Sequence, residues 1–394
     1  MRVLIVTKIF PNAAEPLSAP FNRQQFGALA RRCDVEVLAT IPWYPGAGLL
    51  ARWSSAGRLA QVPRRETIDG IDVHHPRTLF VPRTGHALWG PLYAASIAPV
   101  VSRYRGKVDV VLGSWAYPDG FAAILLARLL GVPAVVKLHG SDINVIARIP
   151  GPRRLMQWLL PRAARVVAVS RALADEVAAL GFPRERVAVV MNGIDAELFR
   201  PRDRAEARRT LGIPVDGRLL LYVGHLKETK GVRDLADAFT RIAPANPDVR
   251  LAIIGGGDER KRVDELAAKF PGQVIAPGPR PLAEVPTWLA ACDALTLPSW
   301  NEGTPNVVLE ALACGRRVVG SAVGGIPDLI PDAGLGELVP ARDIDALAAA
   351  LTRAASAGYD PQEVATRGAR GGWDASAAAL HDVLAAAVRE RASV

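Results

Sequence analysis

The sequence predicts an α/β protein built from two doubly wound, Rossmann-like domains, and three observations carry that expectation. The chain has 394 residues, more than one ordinary core holds and a match for two domains of about 200 residues each. Short apolar runs rich in Val, Leu and Ile alternate with longer Ala-, Leu- and Arg-bearing segments, the pattern of buried parallel strands joined by helices. A turn-rich, charged stretch at residues 192–217 interrupts this alternation before a fresh strand begins.

Taken in chain order, strands are expected in the first half at residues 3–7, 35–39, 72–75, 108–112, 134–138, 166–169 and 187–190. Helices are expected between them, at 21–31, 119–130 and 171–180. The opening MRVLIVTKIFPN is too short and too soon interrupted for a signal peptide, so it reads as the first strand. In the second half the strands fall at 219–223, 251–254, 273–276, 294–297 and 317–320, with helices at 232–242, 259–269 and 305–314. Residues 373–391 read as one amphipathic helix closing the chain.

Composition narrows the function classes. Half the residues are hydrophobic, 22% are charged, and mean hydropathy is +0.16, which excludes wholesale disorder. Cys33, Cys292 and Cys314 are widely spaced and form no metal or disulfide pattern, which suits a reducing compartment. The longest charge-free run, residues 84–102, is broken by Pro91 and Pro99 and is no convincing membrane span. Residues 1–200 hold 25 Lys and Arg against 14 Asp and Glu, a net +11, whereas the remainder is net −2. A basic first half suggests an anionic partner. With 6% aromatics and no basic run interleaved with stacking rings, nucleic acid is not the expected one.

The densest chemical signal is SWNEGTPNVVLEALACG, residues 299–315. Thr304 suits an N-cap, Pro305 the first helical position and Gly315 the C′ position. The first amides, those of Asn306, Val307 and Val308, would then face the carboxyl edge of a buried strand, a phosphate site by backbone geometry and dipole. Glu302 stands in the loop before that helix and Glu310 near its middle. A carboxylate beside a phosphate site suits sugar hydroxyls, although a lone Glu is more often a solvated helix face. A second strand–loop–helix unit, LYVGHLKETKG, follows a strand with Gly224 at a sharp turn and offers His225, Lys227 and Lys230 to a diphosphate. In SAVGGIPDLI, Gly324 and Gly325 let backbone approach a ligand closely. IIGGGD, residues 253–258, is read as a structural or base-facing turn. In the first half His139 of KLHGSDIN ends a strand where ligands bind, facing the cleft between domains, with Asp142 beside it. SWAYPDG contributes Trp115 and Tyr117 to an acceptor pocket, or simply starts a helix with Asp119 in its first turn; His74 and His75 are read as surface residues.

These motifs resemble those of the retaining family-4 glycosyltransferases, the group-1 glycosyl transferases of the GT-B fold. EGTPNVVLE is similar to their E-x7-E motif, VGHLKETKG to the G-x-L-x-x-x-K-G loop and AVGGIPDLI to the Gly-Gly-x-Pro turn. MNGIDAELFRP resembles the interdomain N-G-x-D…F-x-P stretch and KLHGSDIN the first-domain His loop. The resemblance covers nearly the whole chain. It implies two parallel sheets facing across a cleft, with an acceptor-side domain at 1–197, a nucleotide-sugar domain at 198–372, and a final helix at 373–394 crossing back onto the first domain.

The resemblance also implies a mechanism: transfer of a sugar from a nucleotide-diphosphate donor, with retention, without metal or other cofactor, by front-face attack assisted by the leaving phosphate. Donor binding would fall to Gly224, His225, Lys230, Glu302, Gly303, Thr304, Pro305, Asn306, Val307, Val308 and Glu310. Among them Glu310 would hold the ribose hydroxyls and Glu302 the 3- or 4-hydroxyl of the sugar. Lys230 and the amides of Asn306 to Val308 would stabilise the diphosphate as charge develops on it, and His139 would contact the transferred sugar. Trp115, Tyr117 and Asp142 would line the acceptor side. Two departures stand out: His225 occupies the place of the family's usual Arg, and residues 16–20 replace the glycine pair that often follows the first strand.

The expected function is therefore sugar transfer to a glycan or lipid-linked acceptor in cell-envelope polysaccharide synthesis. The alternatives are a catalytically inactive nucleotide-sugar-binding assembly partner and a sugar-nucleotide epimerase. The expected location is cytoplasmic, peripheral on the inner face of the membrane: Trp43, Tyr44, Trp53, Trp89 and Tyr93 lie among arginines and suit an anionic lipid surface.

Overall fold

The computed structural model describes residues 1–16, 18–44, 55–79 and 85–392. Leu17 and Trp53 lie outside these residues. Two compact units emerge: Met1–Gly193 together with Trp373–Val394, and Ile194–Gly372. The first boundary thus falls at Gly193, against the 197 expected.

The first unit carries an eight-stranded sheet. Its order is Val187–Val189, Arg165–Ala168, Ala134–Lys137, Val110–Ser114, Arg2–Thr7, Asp34–Ala39, Ile71–His74, Arg65–Ile68. Every pairing is parallel except the last, where Arg65–Ile68 runs antiparallel to Ile71–His74. That edge hairpin, turning through Asp69 and Gly70 at positive φ, departs from the all-parallel expectation. Central strands bury both faces, so they read as continuous apolar runs; edge strands such as Arg65–Ile68 alternate instead. The strand order reverses between Arg2–Thr7 and Val110–Ser114, so the loops leaving Thr7 and Ser114 flank a topological switch point, where ligands of open α/β sheets bind.

The final helix, Trp373–Ala392, belongs to this unit. Trp373, Ala377, Leu380, Leu384 and Ala387 recur at helical spacing and enter one core with Val3, Ile5, Phe26, Leu29, Val110 and Val135. A buried polar chain sits within this contact. Lys137 Nζ donates to Gln25 Oε1, Gln25 Nε2 donates to Ser376 Oγ at 2.8 Å, and Ser376 Oγ donates to the Met191 carbonyl at 2.6 Å.

The second unit carries a six-stranded, wholly parallel sheet. Its order is Val274–Gly278, Val249–Ile254, Arg218–Val223, Ala294–Leu297, Arg317–Ser321, Gly336–Val339. The switch point lies between Arg218–Val223 and Ala294–Leu297, so the loops at 224–231 and 298–305 leave it side by side. Those loops are the two densest motifs of this half.

Candidate functional site

The helix expected from residue 305 runs Asn306–Ala313. Pro305, not Thr304, occupies the N-cap position, with extended backbone and no side-chain cap. With ψ 114 Pro305 stays extended, so the helix begins one residue later than expected and its N-cap residue offers no side-chain acceptor. The amide of Val308 donates to the Pro305 carbonyl at 3.1 Å, which removes it from the set of amides available to a phosphate. Gly315, at φ +72, closes the helix as expected.

Glu302, nine-tenths buried, accepts from Lys230 Nζ at 2.7 Å and from Ser299 Oγ at 2.8 Å, both on Oε1. The two residues expected at sugar and diphosphate thus meet each other, and Ser299, which no local sequence signal marks, completes the cluster. Backbone contacts lock the arrangement. Gly231 turns through φ +69, and a Cβ there would stand 1.9 Å from the Pro298 carbonyl oxygen. Trp300 N donates to the Thr229 carbonyl at 2.9 Å and Gly325 N to the Gly303 carbonyl at 2.7 Å. Gly324 lies so close that a Cβ would be 1.9 Å from the Glu302 carbonyl oxygen. The Trp300 indole donates to Asp234 at 2.6 Å and carries the Arg342 guanidinium 4.1 Å above its ring. Three separate motifs therefore converge on one loop cluster.

Glu310 lies one turn into the helix, and burial raises its carboxyl to about 7. It is poised between charge states near neutrality. His225 and Lys227 are exposed, and Tyr222 donates its hydroxyl to the His225 carbonyl at 2.8 Å. Gly224 is not in the left-handed region; the sharp turns belong to Gly231, Gly255 and Gly257. Its value is close approach, because a Cβ on Gly255 would stand 1.8 Å from its carbonyl oxygen. Gly255 and Gly257 are thus fixed by close backbone approach, to the Gly224 and Leu226 carbonyls, whereas Gly256 is not.

In the first unit His139 is half-buried at the end of Ala134–Lys137. Its ring stacks on Trp115 at 5.6 Å between centroids and meets Phe21 at 5.1 Å. Burial first, and then the nearby Lys137 charge, hold the imidazole well below its ordinary range, so it is neutral. Lys137 is fully buried, and desolvation lowers its own value to about 7. Trp115 has φ +119, a strained conformation for a non-glycine residue at the switch point.

Two acceptor-side assignments need correction. Tyr117 is fully buried; its hydroxyl donates toward the His86 and Ala87 carbonyls and accepts from Gly90 N. Asp142 is equally buried and spends both oxygens on the amides of Ala116, His139 and Gly140. Both residues are committed internally, to the fold of their loops. Of the three, Trp115 is the one whose side chain meets the His139 ring, while Asp142 holds its backbone amide. The segment does start a helical turn, Ala116–Gly120, with Asp119 in it, which leads into the helix Phe121–Leu130; Asp119 is buried, and burial raises its carboxyl to about 7. Nor are His74 and His75 surface residues. His75 is buried between the Ala39 carbonyl at 2.8 Å and Glu66 at 2.7 Å, and His74 faces Glu36 at 3.2 Å. Among the aromatics expected at a lipid surface, Tyr93 lies in the core and Trp89 packs against it, while Trp43 is exposed.

Among the described residues no cluster of three His, Cys, Asp or Glu side chains is arranged to hold a metal ion, and no helix is long and apolar enough to cross a membrane.

Residues 27–198 match the family model for Glycosyltransferase Family 4, and residues 217–357 match that for Glycosyl transferases group 1. A D-inositol 3-phosphate glycosyltransferase of Xylanimonas cellulosilytica is 30% identical over 361 residues, covering 84% of this chain and 86% of that one. The chain belongs to glycosyltransferase family 4. This glycosyltransferase is also 29% identical over 363 residues to TuaC of Bacillus subtilis, named for teichuronic acid biosynthesis, across 90% of this chain and 89% of TuaC. Its fold is GT-B. Anabaena HepE, solved with UDP, superposes with a TM-score of 0.70 at 21% identity, over 100% of this chain and 98% of HepE. The lipopolysaccharide outer core galactosyltransferase WaaB superposes at 0.68 with 18% identity, over 98% and 99%.

Proposed function

We propose that this glycosyltransferase is a retaining, metal-independent enzyme that moves a sugar from a nucleotide-diphosphate donor to a glycan or lipid-linked acceptor of the cell envelope. The observation that carries the reading is the Lys230–Glu302–Ser299 cluster at the mouth of the helix that bears Glu310. A carboxylate for a sugar hydroxyl and an ammonium for a diphosphate stand at hydrogen-bond distance, so one ligand bridging phosphate and sugar would engage both.

In this reading the donor replaces the internal ion pair. Lys230 turns to the diphosphate and stabilises the charge that grows on it as the glycosidic bond breaks. Glu302, held by Ser299, accepts from the 3- or 4-hydroxyl of the sugar. Glu310, ionised on binding, accepts from the ribose hydroxyls. The amides of Asn306 and Val307 add dipolar help to the phosphate. A neutral His139 accepts or donates a single hydrogen bond to a sugar hydroxyl. Support for a nucleotide sugar comes from HepE, solved with UDP and with UDP-glucose. Support for an envelope acceptor comes from TuaC and from the basic first half, and peripheral attachment to an anionic membrane face belongs to the same proposal.

A thermal-shift screen of nucleotide sugars, followed by transfer of label from the best stabiliser to membrane extracts, tests the reading. One nucleotide sugar should stabilise the protein beyond its free nucleoside diphosphate, and EDTA should leave transfer intact. Stabilisation by none, or activity lost with EDTA and restored by Mg²⁺, would overturn it. Sedimentation with anionic and neutral vesicles tests attachment, with salt-sensitive binding expected on the anionic ones alone.

A further inference from the structure

We infer that Asn22 and Ser114 are positioning residues that fix His139 as the Nε2–H tautomer, leaving Nδ1 as an acceptor for a ligand hydroxyl. The inference rests, for its ligand, on the reading of His139 as a substrate contact; its geometry stands independently.

The chain of hydrogen bonds assigns itself from one end. Asn22, fully buried, donates from Nδ2 to the Ile9 carbonyl at 2.9 Å. The flipped amide would set two oxygens against each other, so Oδ1 must face the other way, toward Ser114. The Ser114 hydroxyl, also fully buried, lies 3.3 Å from Asn22 Oδ1 and 2.9 Å from His139 Nε2. A hydroxyl has one proton. Given to Asn22, it satisfies a buried carbonyl oxygen and leaves Ser114 Oγ to accept from Nε2–H. Given to Nε2, it strands Asn22 Oδ1 in the interior without a donor, the costlier state. The Nε2–H tautomer alone satisfies every atom of the chain.

The backbone makes the arrangement rigid. Thr7 Oγ1 donates to the Ser114 carbonyl at 3.3 Å, which ties the two strands that flank the switch point. Stacking on Trp115 and a tilted contact with Phe21 hold the imidazole plane. The charged groups facing the ring region are Lys137 from its own strand, Asp142, whose carboxylate takes the His139 amide, and Lys8, whose ammonium lies 5.0 Å from the centre of the Trp115 ring. No described residue bonds Nδ1.

A neutral imidazole with Nδ1 unprotonated accepts and does not donate there. A phosphate oxygen or a carbonyl meeting it finds a lone pair opposed to its own. A hydroxyl finds a partner. His139 therefore discriminates for the sugar part of a nucleotide sugar over its diphosphate, and Asn22 and Ser114, which touch no reacting atom, set that preference.

The test is ¹⁵N NMR of the full chain labelled at histidine, with the His139 signals assigned by their loss in His139→Gln. The unmodified protein should show a protonated Nε2 and an unprotonated Nδ1. Asn22→Ala frees the Ser114 hydroxyl to donate to Nε2, so an Nδ1–H population should rise; Ser114→Ala should do the same, and Ser114→Thr should restore the original pattern. The nucleotide sugar selected by the donor screen should then shift Nδ1, and its nucleoside diphosphate should not. A protonated Nδ1 in the unmodified protein, an unchanged pattern in Asn22→Ala, or equal shifts by both ligands would overturn the proposal. A screen that yields no donor would instead sink the transferase reading, while the tautomer is read from the free protein.

Discussion

The two sheets present opposite kinds of chemistry at their switch points. In the second unit the loops carry full charges, Lys230 and Glu302, paired at 2.7 Å, with the lysine about a third exposed. In the first unit the corresponding edge carries a neutral histidine, two buried amide and hydroxyl side chains, and a lysine whose charge burial drives toward loss near neutrality. The difference has a physical cause. A buried carboxylate such as Glu302 keeps its charge by pairing with a partly solvated lysine, whereas an unpaired charge buried outright is neutralised. A group that reads the direction of one hydroxyl gains from the opposite setting, where desolvation and a closed hydrogen-bond chain leave one proton arrangement.

Substitutions in the second unit should have the largest effects. Lys230→Ala should lower turnover by roughly a hundred- to a thousandfold, the range typical of losing one transition-state charge partner, with the fold intact by circular dichroism; near-normal turnover would remove lysine from the chemistry. Gly324→Ala should come next. Its φ of +53 and its clash with the Glu302 carbonyl should cost on the order of 1–3 kcal/mol in unfolding free energy and displace the Glu302 loop, and unfolding midpoints together with turnover read both.

Glu310 sharpens the contrast through pH. Its carboxyl is raised by burial to about 7, so the folded protein holds a proton that the unfolded chain releases nearer the ordinary value, and this group's contribution to stability falls as pH rises through that window. Binding of a donor's hydroxyls favours the ionised form. Donor affinity should therefore rise with pH through about 7 in the parent, and Glu310→Gln should bind roughly tenfold more weakly with no such dependence. Titration calorimetry at several pH values reads both parts. In the first unit Lys137 gives the mirror effect. Its lowered value means that the unfolded chain binds the proton more readily, so stability should rise as pH climbs from about 7 toward the ordinary lysine value. Lys137→Met should flatten that slope in urea unfolding. The smallest effect should come from His225→Arg, which places a second exposed cation near Lys230 and should leave the rate unchanged or faster.

Much of this was legible in the chain. All twelve strands expected from apolar runs are present, because strands buried on both faces need no partner to declare themselves. Four short strands, Ile41–Trp43, Arg65–Ile68, Arg77–Leu79 and Gly336–Val339, were not, since each has only three or four residues, too few for a period. Glu302, Lys230 and Glu310 stood out because loop, cap and glycine signals cluster around them. Ser299 and Asn22 did not, as nothing local distinguishes a serine or asparagine that bonds a residue far along the chain. The sequence did place Asp142 beside His139 and Tyr117 in an acceptor pocket, but residue type and spacing say nothing of which polar atoms the fold has already claimed.

By itself, then, the sequence determined the two α/β units, the order of their strands' burial and the glycine- and proline-marked loops, because these follow from local periodicity and backbone freedom. It took the packed molecule to pair Glu302 with Lys230, to start the helix after Pro305, to link Lys137 to the final helix through Gln25 and Ser376, and to leave His139 neutral with one proton position. Each of those is set by which groups share a desolvated space, and that depends on residues brought together from 72, 112 or 351 positions apart.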